Sequence, residues 1–311
     1  MIPGSRARSP PLSSPTLGPR TPERGKCPLS SEPAAQRLDS RVTIRLADDF
    51  TAAREIERLQ LAVWGMDPLE VVPHHQLITA AKWGGEMLIA YLGEEPIGFS
   101  YGFIGLDDDQ PILCSHMLAV SPEHQSLNVG YRLKLAQREF ARNQGLSRIV
   151  WTFDPMESRN AYLNLHKLGA LCESYLVDHY GPMADELNAG LPSDRLLADW
   201  RIDKARTEQE GRTTIKGMDS SPLVNPPDEA GDLPRPGRVR TDLLGEESVV
   251  RIAVAADSTR VKRAKGDLAV AWRHNLRLSF GRAFAHGYKA VDMVAPHGAV
   301  AFYVLAAREE S

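Results

Sequence analysis

Between residues 41 and 203, the spacing of apolar residues switches several times between a strand-like alternation and a helix-like period. The predicted order of elements is β-α-α-β-β-β-α-β-α-β-β. The predicted strands are 42–46, 86–92, 96–104, 112–120, 148–153, 171–177 and 196–202. This order predicts an α/β (α+β) domain in which helices cover both faces of a mixed sheet.

Three segments outside this domain differ from it in composition. Residues 1–40 are rich in Pro, Ser, Arg and Gly, so we expect a disordered N-terminal extension. Residues 204–246 are hydrophilic and contain Pro-Pro and Pro-Arg-Pro, which predicts a linker or a long loop. Residues 247–311 predict a small β-α-β-β region. Such a short region either docks on the preceding domain or pairs with a second subunit.

The stretch from Ile112 to Gln144 is the centre of the domain, because it combines a strand, a polar loop and a helix. The first N–H groups of a helix lack internal partners, and the helix dipole favours negative charge beside them. Asn128 and Gly130 both tolerate the left-handed backbone that a tight loop needs. The loop is therefore either a phosphate cradle or an ordinary strand-to-helix connection.

Two blocks of sequence resemble the GNAT acyltransferases. The loop HQSLNVGY, 124–131, is similar to the family's motif A, Gln/Arg-x-x-Gly-x-Gly/Ala, although Asn128 replaces the first Gly. Residues 158–170 are similar, without gaps, to the family's Asn-x-x-Ala-x-x-Leu-Tyr-x-Lys-Leu-Gly-Phe helix, with Leu165 where the family often has Tyr. Other stretches, such as AWRHNLR, resemble a branch that has an additional C-terminal region and looks related to amino-acid N-acyl- and succinyltransferases.

The resemblance implies a GNAT acyl-CoA acyltransferase fold, with a mostly antiparallel mixed sheet. It also implies an N-acyltransferase that moves an acetyl or succinyl group from acetyl-CoA or succinyl-CoA to a primary amine by direct attack. The acceptor would be a small molecule, with amino acids among the candidates. The residues expected to contact coenzyme A are Leu118, Val120, Gln125, Ser126, Leu127, Asn128, Val129, Gly130, Tyr131 and Asn160.

Two side chains are candidates for the proton transfers. His116 lies on the central strand, on the face predicted for Leu118 and Val120, and imidazole titrates in the range suited to a general base. The alternative is a core histidine bonded to backbone. Tyr162 lies one turn before Leu165 and could protonate the leaving sulfur, or it could simply pack.

Three charged residues are candidates for holding the acceptor. Asp154 follows a strand and could bind an ammonium group, or it could cap the next turn. An amino-acid acceptor would need a cation for its carboxylate, which Arg159 or Arg195 could supply through a bidentate pair. The alternative for both arginines is an ordinary surface position.

Composition narrows the function classes. The 311 residues include 37 basic and 40 acidic residues, and a net charge of −3 argues against nucleic acid as a partner. The three cysteines are widely spaced, which argues for a reducing compartment and against a disulfide framework or a metal site. No apolar run is long enough for a membrane span. We therefore expect a cytoplasmic enzyme without a metal, with a homodimer as the candidate assembly. The alternative function is an inactive module that binds CoA or another ligand.

Overall fold

The computed structural model describes residues 41–182, 190–202, 218–264 and 267–307. The predicted extension, 1–40, lies outside these ranges. The strands are β1 Val42–Leu46, β2 Glu86–Leu92, β3 Glu95–Asp107, β4 Gln110–Val120, β5 Arg148–Phe153, β6 Leu171–Leu176, β7 Arg195–Arg201, β8 Val249–Ala255, β9 Tyr288–His297 and β10 Val300–Ala307. The helices are α1 Phe50–Trp64, α2 His74–Lys82, α3 Val129–Asn143, α4 Ser158–Ala161, α5 Ser258–Arg263 and α6 Leu268–Ala285, and a π-helical turn, Tyr162–Lys167, continues α4. Across the described ranges, no helix is both long and apolar enough to cross a membrane.

Helices cover both faces of the first half of the sheet, as the sequence predicts. On one face, Ile56 of α1 and Leu77 of α2 pack with Phe99 and Tyr101 of β3. On the other, Val129 and Leu133 of α3 pack with Leu88 and Ala90 of β2 and with Ile97. Burying these apolar faces is the main force that holds the helices on the sheet.

The sheet is mixed and mostly antiparallel, in the order β1-β2-β3-β4-β5-β7-β6-β9-β10-β8. Among the described strands, β4 and β5 are the only neighbours that run parallel. Their pairing is limited to Leu113 with Ile149 and Cys114 with Val150. Toward their carboxyl ends the two strands have no further pairing among the described residues, which leaves an unpaired gap between β4 and β5 in the middle of the sheet.

The C-terminal region docks on the domain and extends the same sheet. Cys172 of β6 pairs with Ala290 of β9, and β10 and β8 follow. The single helix expected between the first two strands of this region is two helices, α5 and α6. The Tyr303 hydroxyl donates to the carbonyl of Pro155 at 2.8 Å, which ties β10 to the end of β5.

The predicted linker is described only from residue 218, and this part is not a free tether. Its backbone bonds along the outer edge of β8, where Val224 N donates to the carbonyl of Arg251 at 2.8 Å. The Trp272 indole N–H donates to the carbonyl of Pro234 at 2.9 Å. Polar composition led to the linker prediction, but backbone pairing needs no apolar side chains. The segment therefore covers an edge that would otherwise be open.

Candidate functional site

A β-bulge lies in β4 next to the gap. Tyr101 of β3 pairs with Met117, and Gly102 pairs with Ser115, so His116 is an extra residue without a partner on β3. A bulge leaves the extra residue outside the ladder and bends the strand. Because β5 has already diverged from β4 here, the backbone of His116 borders the gap.

The bulge reverses the side of the sheet to which His116 belongs. We predicted it on the same face as Leu118 and Val120, but that prediction is wrong. Its ring contacts Tyr101 and Phe103, each with a centroid distance of 5.9 Å, on the face covered by α1 and α2. Leu118 and Val120 pack on the α3 face. One inserted residue is sufficient to shift the alternation of a strand.

The surroundings of His116 suit a general base. The side chain keeps an exposed part, and partial desolvation by its neighbours lowers its pKa below the usual 6.5. The imidazole is therefore mostly neutral at pH 7 and can accept a proton.

The loop before α3 has the features of an anion site. Asn128 adopts a left-handed conformation, with φ of 55°, and its side chain does not cap the helix. Instead, its Oδ1 accepts a hydrogen bond from Lys167 Nζ at 3.2 Å. The first turn of α3 contains no acidic residue. The buried Nδ1 of His124 also has no partner among the described atoms. The residues present therefore fit a diphosphate.

The structure brings together part of the predicted coenzyme A site. A Cβ atom at Gly130 would lie 3.6 Å from Leu118 and 4.0 Å from Val120, so the helix start approaches β4 closely. The loop side chains divide by exposure. Gln125, Ser126 and Asn128 are exposed, Gly130 and Tyr131 are half-buried, and Leu127 and Val129 are buried. The two buried side chains anchor the loop, so they would contact a ligand only through backbone. Asn160 is exposed near the start of α4.

Tyr162 lies at the junction with the C-terminal region. Its ring stacks on His166 with a centroid distance of 4.5 Å, and His166 Nδ1 lies 2.9 Å from Asp292 Oδ1 of β9. These contacts favour the packing alternative over the proton-donor role. Leu165, where the family often has Tyr, is 1 % exposed in the main core.

Asp154 already pairs with two cations of the chain. Its carboxylate accepts two hydrogen bonds from Arg273, at 2.6 and 2.9 Å, and one from Lys262 at 3.1 Å. It also accepts from Met156 N at 2.8 Å, which is the predicted turn cap. Burial would raise the pKa of Asp154, but Arg273 and Lys262 outweigh it and hold the pKa well below its usual range. Because its two oxygens already pair with these cations, Asp154 forms an internal ion pair in place of the expected ammonium site. Both cations belong to the C-terminal region.

The two predicted arginines lie in different surroundings. Arg159 is exposed on the first turn of α4. Arg195 begins β7, and its guanidinium lies 5.3 Å from the centroid of the Tyr180 ring. The Tyr180 hydroxyl lies 2.8 Å from Thr152 Oγ1 on β5. Arg195 is thus connected to the strand that borders the gap, whereas the contacts described give Arg159 no such connection.

A buried polar group on the α3 side of the gap was missed by the sequence analysis. Lys134 is 3 % exposed, and its Nζ donates to Ser115 Oγ at 2.8 Å and to Gln137 Oε1 at 3.1 Å. Gln137 Nε2 in turn donates to Glu86 Oε2 at 2.7 Å. Burial lowers the pKa of Lys134 to about 7, with the charge of Glu86 opposing. The helical spacing of Lys134, Gln137 and Ala141 was the available signal.

Comparison with known protein families gives one match. Residues 49–170 match the family model described as the Acetyltransferase (GNAT) family. No curated protein matches the chain.

Several solved structures are similar to this chain. A GNAT-family acetyltransferase from Desulfovibrio desulfuricans is 16 % identical over 52 % of this chain and 99 % of its own, with a TM-score of 0.42. The acetyltransferase YncA from Salmonella typhimurium, solved with acetyl-CoA, is 19 % identical over 53 % of this chain and 96 % of its own, with a TM-score of 0.41. An aminoglycoside acetyltransferase from a soil metagenomic sample, solved with sisomicin, is 18 % identical over 40 % and 84 %, with a TM-score of 0.36. None of the three is similar enough to assign a substrate to this chain.

Proposed function

We propose, from the match of residues 49–170 to the model of the GNAT acetyltransferase family, that this chain is an acyl-CoA-dependent N-acyltransferase. It transfers an acetyl or succinyl group from a CoA thioester to the primary amine of a small molecule, with amino acids as the leading acceptor class. The observation that carries the proposal is the divergence of β4 and β5 beside the open start of α3.

The chain supplies a binding site for the acyl donor. The first N–H groups of α3 and the Lys167 ammonium would hold the diphosphate, since both favour negative charge. The backbone of Leu118 and Val120 borders the gap and would bond the pantetheine arm. The donor supplies an activated carbonyl, so no protein nucleophile is required.

His116 contributes in two ways to attack on that carbonyl. Its imidazole, kept mostly neutral by a lowered pKa, takes a proton from the acceptor ammonium. Its backbone N–H lies in the bulge, outside the β3–β4 ladder, and would donate to the carbonyl oxygen as negative charge develops. Both groups belong to one residue at the edge of the gap.

The acceptor would approach from the face covered by α1 and α2. That face carries the exposed ring of Phe103 beside His116. Arg195, near Thr152 on the other side of the gap, is the better candidate for an acceptor carboxylate. These positions favour a small amine with an apolar part and a carboxylate.

We also propose a cytoplasmic location and a homodimer. Gel filtration with light scattering tests whether the chain forms a homodimer.

Binding of the acyl donor is tested by calorimetry with acetyl-CoA, succinyl-CoA and CoA. We expect Lys167→Glu to weaken binding about tenfold or more, because it removes a cation and adds an anion at the cradle. Lys82→Glu makes the same charge change at the end of α2, on the opposite face, and should leave binding unchanged. Equal affinities for both variants would contradict the cradle.

A panel of amino acids and simple amines then tests turnover. Arg195→Met should raise the KM for carboxylate-bearing acceptors more than for simple amines. The second candidate function, a module that binds CoA without turnover, is favoured by the buried Leu165 at the position of the family's usual Tyr. Tight CoA binding without transfer to any amine would support this second function against the first.

A further inference from the structure

The amine of Lys134 lies where β4 and β5 separate. The strands last pair at Cys114 and Val150. The next residue of β4 is Ser115, whose Oγ accepts from Lys134 Nζ at 2.8 Å. The next residue of β5 is Trp151, whose ring centroid lies 3.6 Å from the same Nζ. On the α3 side, the amine therefore contacts both strands at the apex of the gap, which is the point where their pairing ends.

The partners of this amine do not fix its charge. Its described hydrogen bonds go to a hydroxyl, Ser115, and to an amide oxygen, Gln137, and both groups are neutral. Among the described residues, the charge that acts on the amine is that of Glu86 on β2, whose carboxylate accepts from Gln137. From β3 the network contains Ser100, whose hydroxyl donates to Glu86. The proton is therefore held weakly, as expected for a buried amine without a directly paired carboxylate.

The proposed reaction needs a proton donor at this apex. When the acceptor nitrogen bonds to the carbonyl carbon, the C–S bond breaks and the sulfur leaves with the electron pair. The usual donor of the family is replaced by buried Leu165, and Tyr162 lies at the junction with β9. His116, on the opposite face of β4, is the proposed base and cannot be the acid for the same step.

Resting on the proposed function, we propose that Ser115 donates the proton to the leaving thiolate and that Lys134 resupplies it. The Ser115 hydroxyl proton moves to sulfur while the Lys134 ammonium proton moves to Ser115 Oγ. Neutral Lys134 regains a proton from water after the thiol leaves. Ser115 is the group that touches the reacting atom, and Lys134 is its positioned proton source. Base and acid thus lie on opposite faces of one strand.

The first test is binding of CoA and of desulfo-CoA, which lacks the thiol, measured by calorimetry at several pH values. In the natural protein we expect CoA to bind about tenfold tighter than desulfo-CoA near pH 7, where Lys134 is still partly protonated, because the relay stabilises the thiolate. Ser115→Ala and Lys134→Met should each remove this difference without weakening desulfo-CoA. Ser115→Thr, which keeps the hydroxyl, is the matched control and should keep it.

The second test is the pH dependence of kcat with acetyl-CoA and the best amine of the panel. Ser115→Ala and Lys134→Met should each lower kcat about 100-fold, with no further loss in the double variant, because they act as one unit. Glu86→Gln should move the alkaline limb to lower pH, because the charge of Glu86 raises the pKa of Lys134. A purely structural role would leave that limb in place.

The outcomes separate this proposal from the proposed function. If the natural protein binds and uses acetyl-CoA while Ser115→Ala keeps both kcat and the preference for CoA over desulfo-CoA, the relay is wrong and the acyltransferase stands. If the natural protein binds none of the thioesters, the proposed function fails, and the relay fails with it. Thermal unfolding of each variant shows that it is folded, and Ser115→Ala supplies the result if Lys134→Met does not fold.

Discussion

Two groups of buried charges in this molecule hold their protons differently. At the junction, Arg273 donates directly to Asp154 through two hydrogen bonds, and Arg277 does the same to Asp194 at 2.7 and 2.9 Å. Behind the gap, the neutral side chain of Gln137 separates Lys134 from Glu86. The pKa values follow the contacts. Direct pairing outweighs burial and keeps the pKa of Asp154 low, whereas burial prevails over the network and raises the pKa of Glu86.

The difference teaches how one chain uses buried charge for two purposes. A directly paired carboxylate and guanidinium both stay ionised, so each such ion pair is a permanent contact between the domain and the C-terminal region. A lysine separated from its carboxylate by an amide has no fixed charge and can exchange a proton near neutral pH. The direct ion pair suits a contact that holds two regions together, and the indirectly paired lysine suits proton transfer.

The largest effect on the free energy of unfolding is expected from removing the ion pair between Arg273 and Asp154. Arg273→Met removes the bidentate partner of Asp154 and leaves Lys262 as the only cation that pairs with its buried carboxylate among the described residues. We expect the free energy of unfolding to fall by about 3 kcal/mol, because a buried carboxylate that loses one of its two cations is only partly compensated. Urea unfolding measures this loss. Arg282→Met, at an exposed position of the same helix, is the control, and a comparable loss there would contradict the comparison.

Acid should weaken the same contact. The pKa of Asp154 is lowered in the folded protein, so its stabilising effect is present above the unfolded pKa of about 3.9 and is lost as pH falls through the folded pKa. We expect this residue to account for about 2 kcal/mol of the stability lost in acid. Urea unfolding of Asp154→Asn from pH 7 downward should show a correspondingly flatter curve. A curve parallel to that of the natural protein would count against the assignment.

Gln137→Glu would convert the indirect arrangement into a direct pair. The new carboxylate would occupy the position of the amide oxygen that lies 3.1 Å from Lys134 Nζ. We expect the pKa of Lys134 to rise and the alkaline limb of kcat to move up by about one pH unit, opposite in direction to Glu86→Gln. Gln137→Leu, which adds no charge, controls for the lost amide. An alkaline limb that stays in place would show that Lys134 does not set it.

The smallest expected effect is the change with pH that Lys134 causes in the free energy of unfolding. The folded pKa of Lys134 lies near 7, below the unfolded value of about 10.4, so native stability falls as pH drops between these values. Lys134→Met has no such dependence. Relative to the natural protein, we expect it to be about 1 kcal/mol more stable at pH 7 than at pH 8, since the loss accumulates at about that rate per pH unit between the two pKa values. Chemical unfolding at both pH values measures the difference, and the opposite sign would contradict the buried, weakly protonated amine.

Local signals predicted most of the domain. Asp49 caps α1, accepting from Ala52 N at 2.8 Å, and Gly65 ends that helix in a left-handed conformation. β5 spans the predicted residues 148–153, and Asn128 has the positive φ expected of the loop. These features depend on neighbours within one turn or one strand, which a single sequence contains.

The sequence by itself determined the order of strands and helices and the left-handed backbone of Asn128 before α3, since periodicity and capping act locally. The tertiary structure alone decided the face of His116, because a bulge is set by pairing between strands. It also decided the partner of Asp154, which lies 119 residues away on a helix of the C-terminal region. Burial of Lys134 likewise depends on β2, β4 and β5 meeting beneath α3. Charge and proton affinity follow from such distant neighbours, whereas the path of the chain follows mainly from near ones.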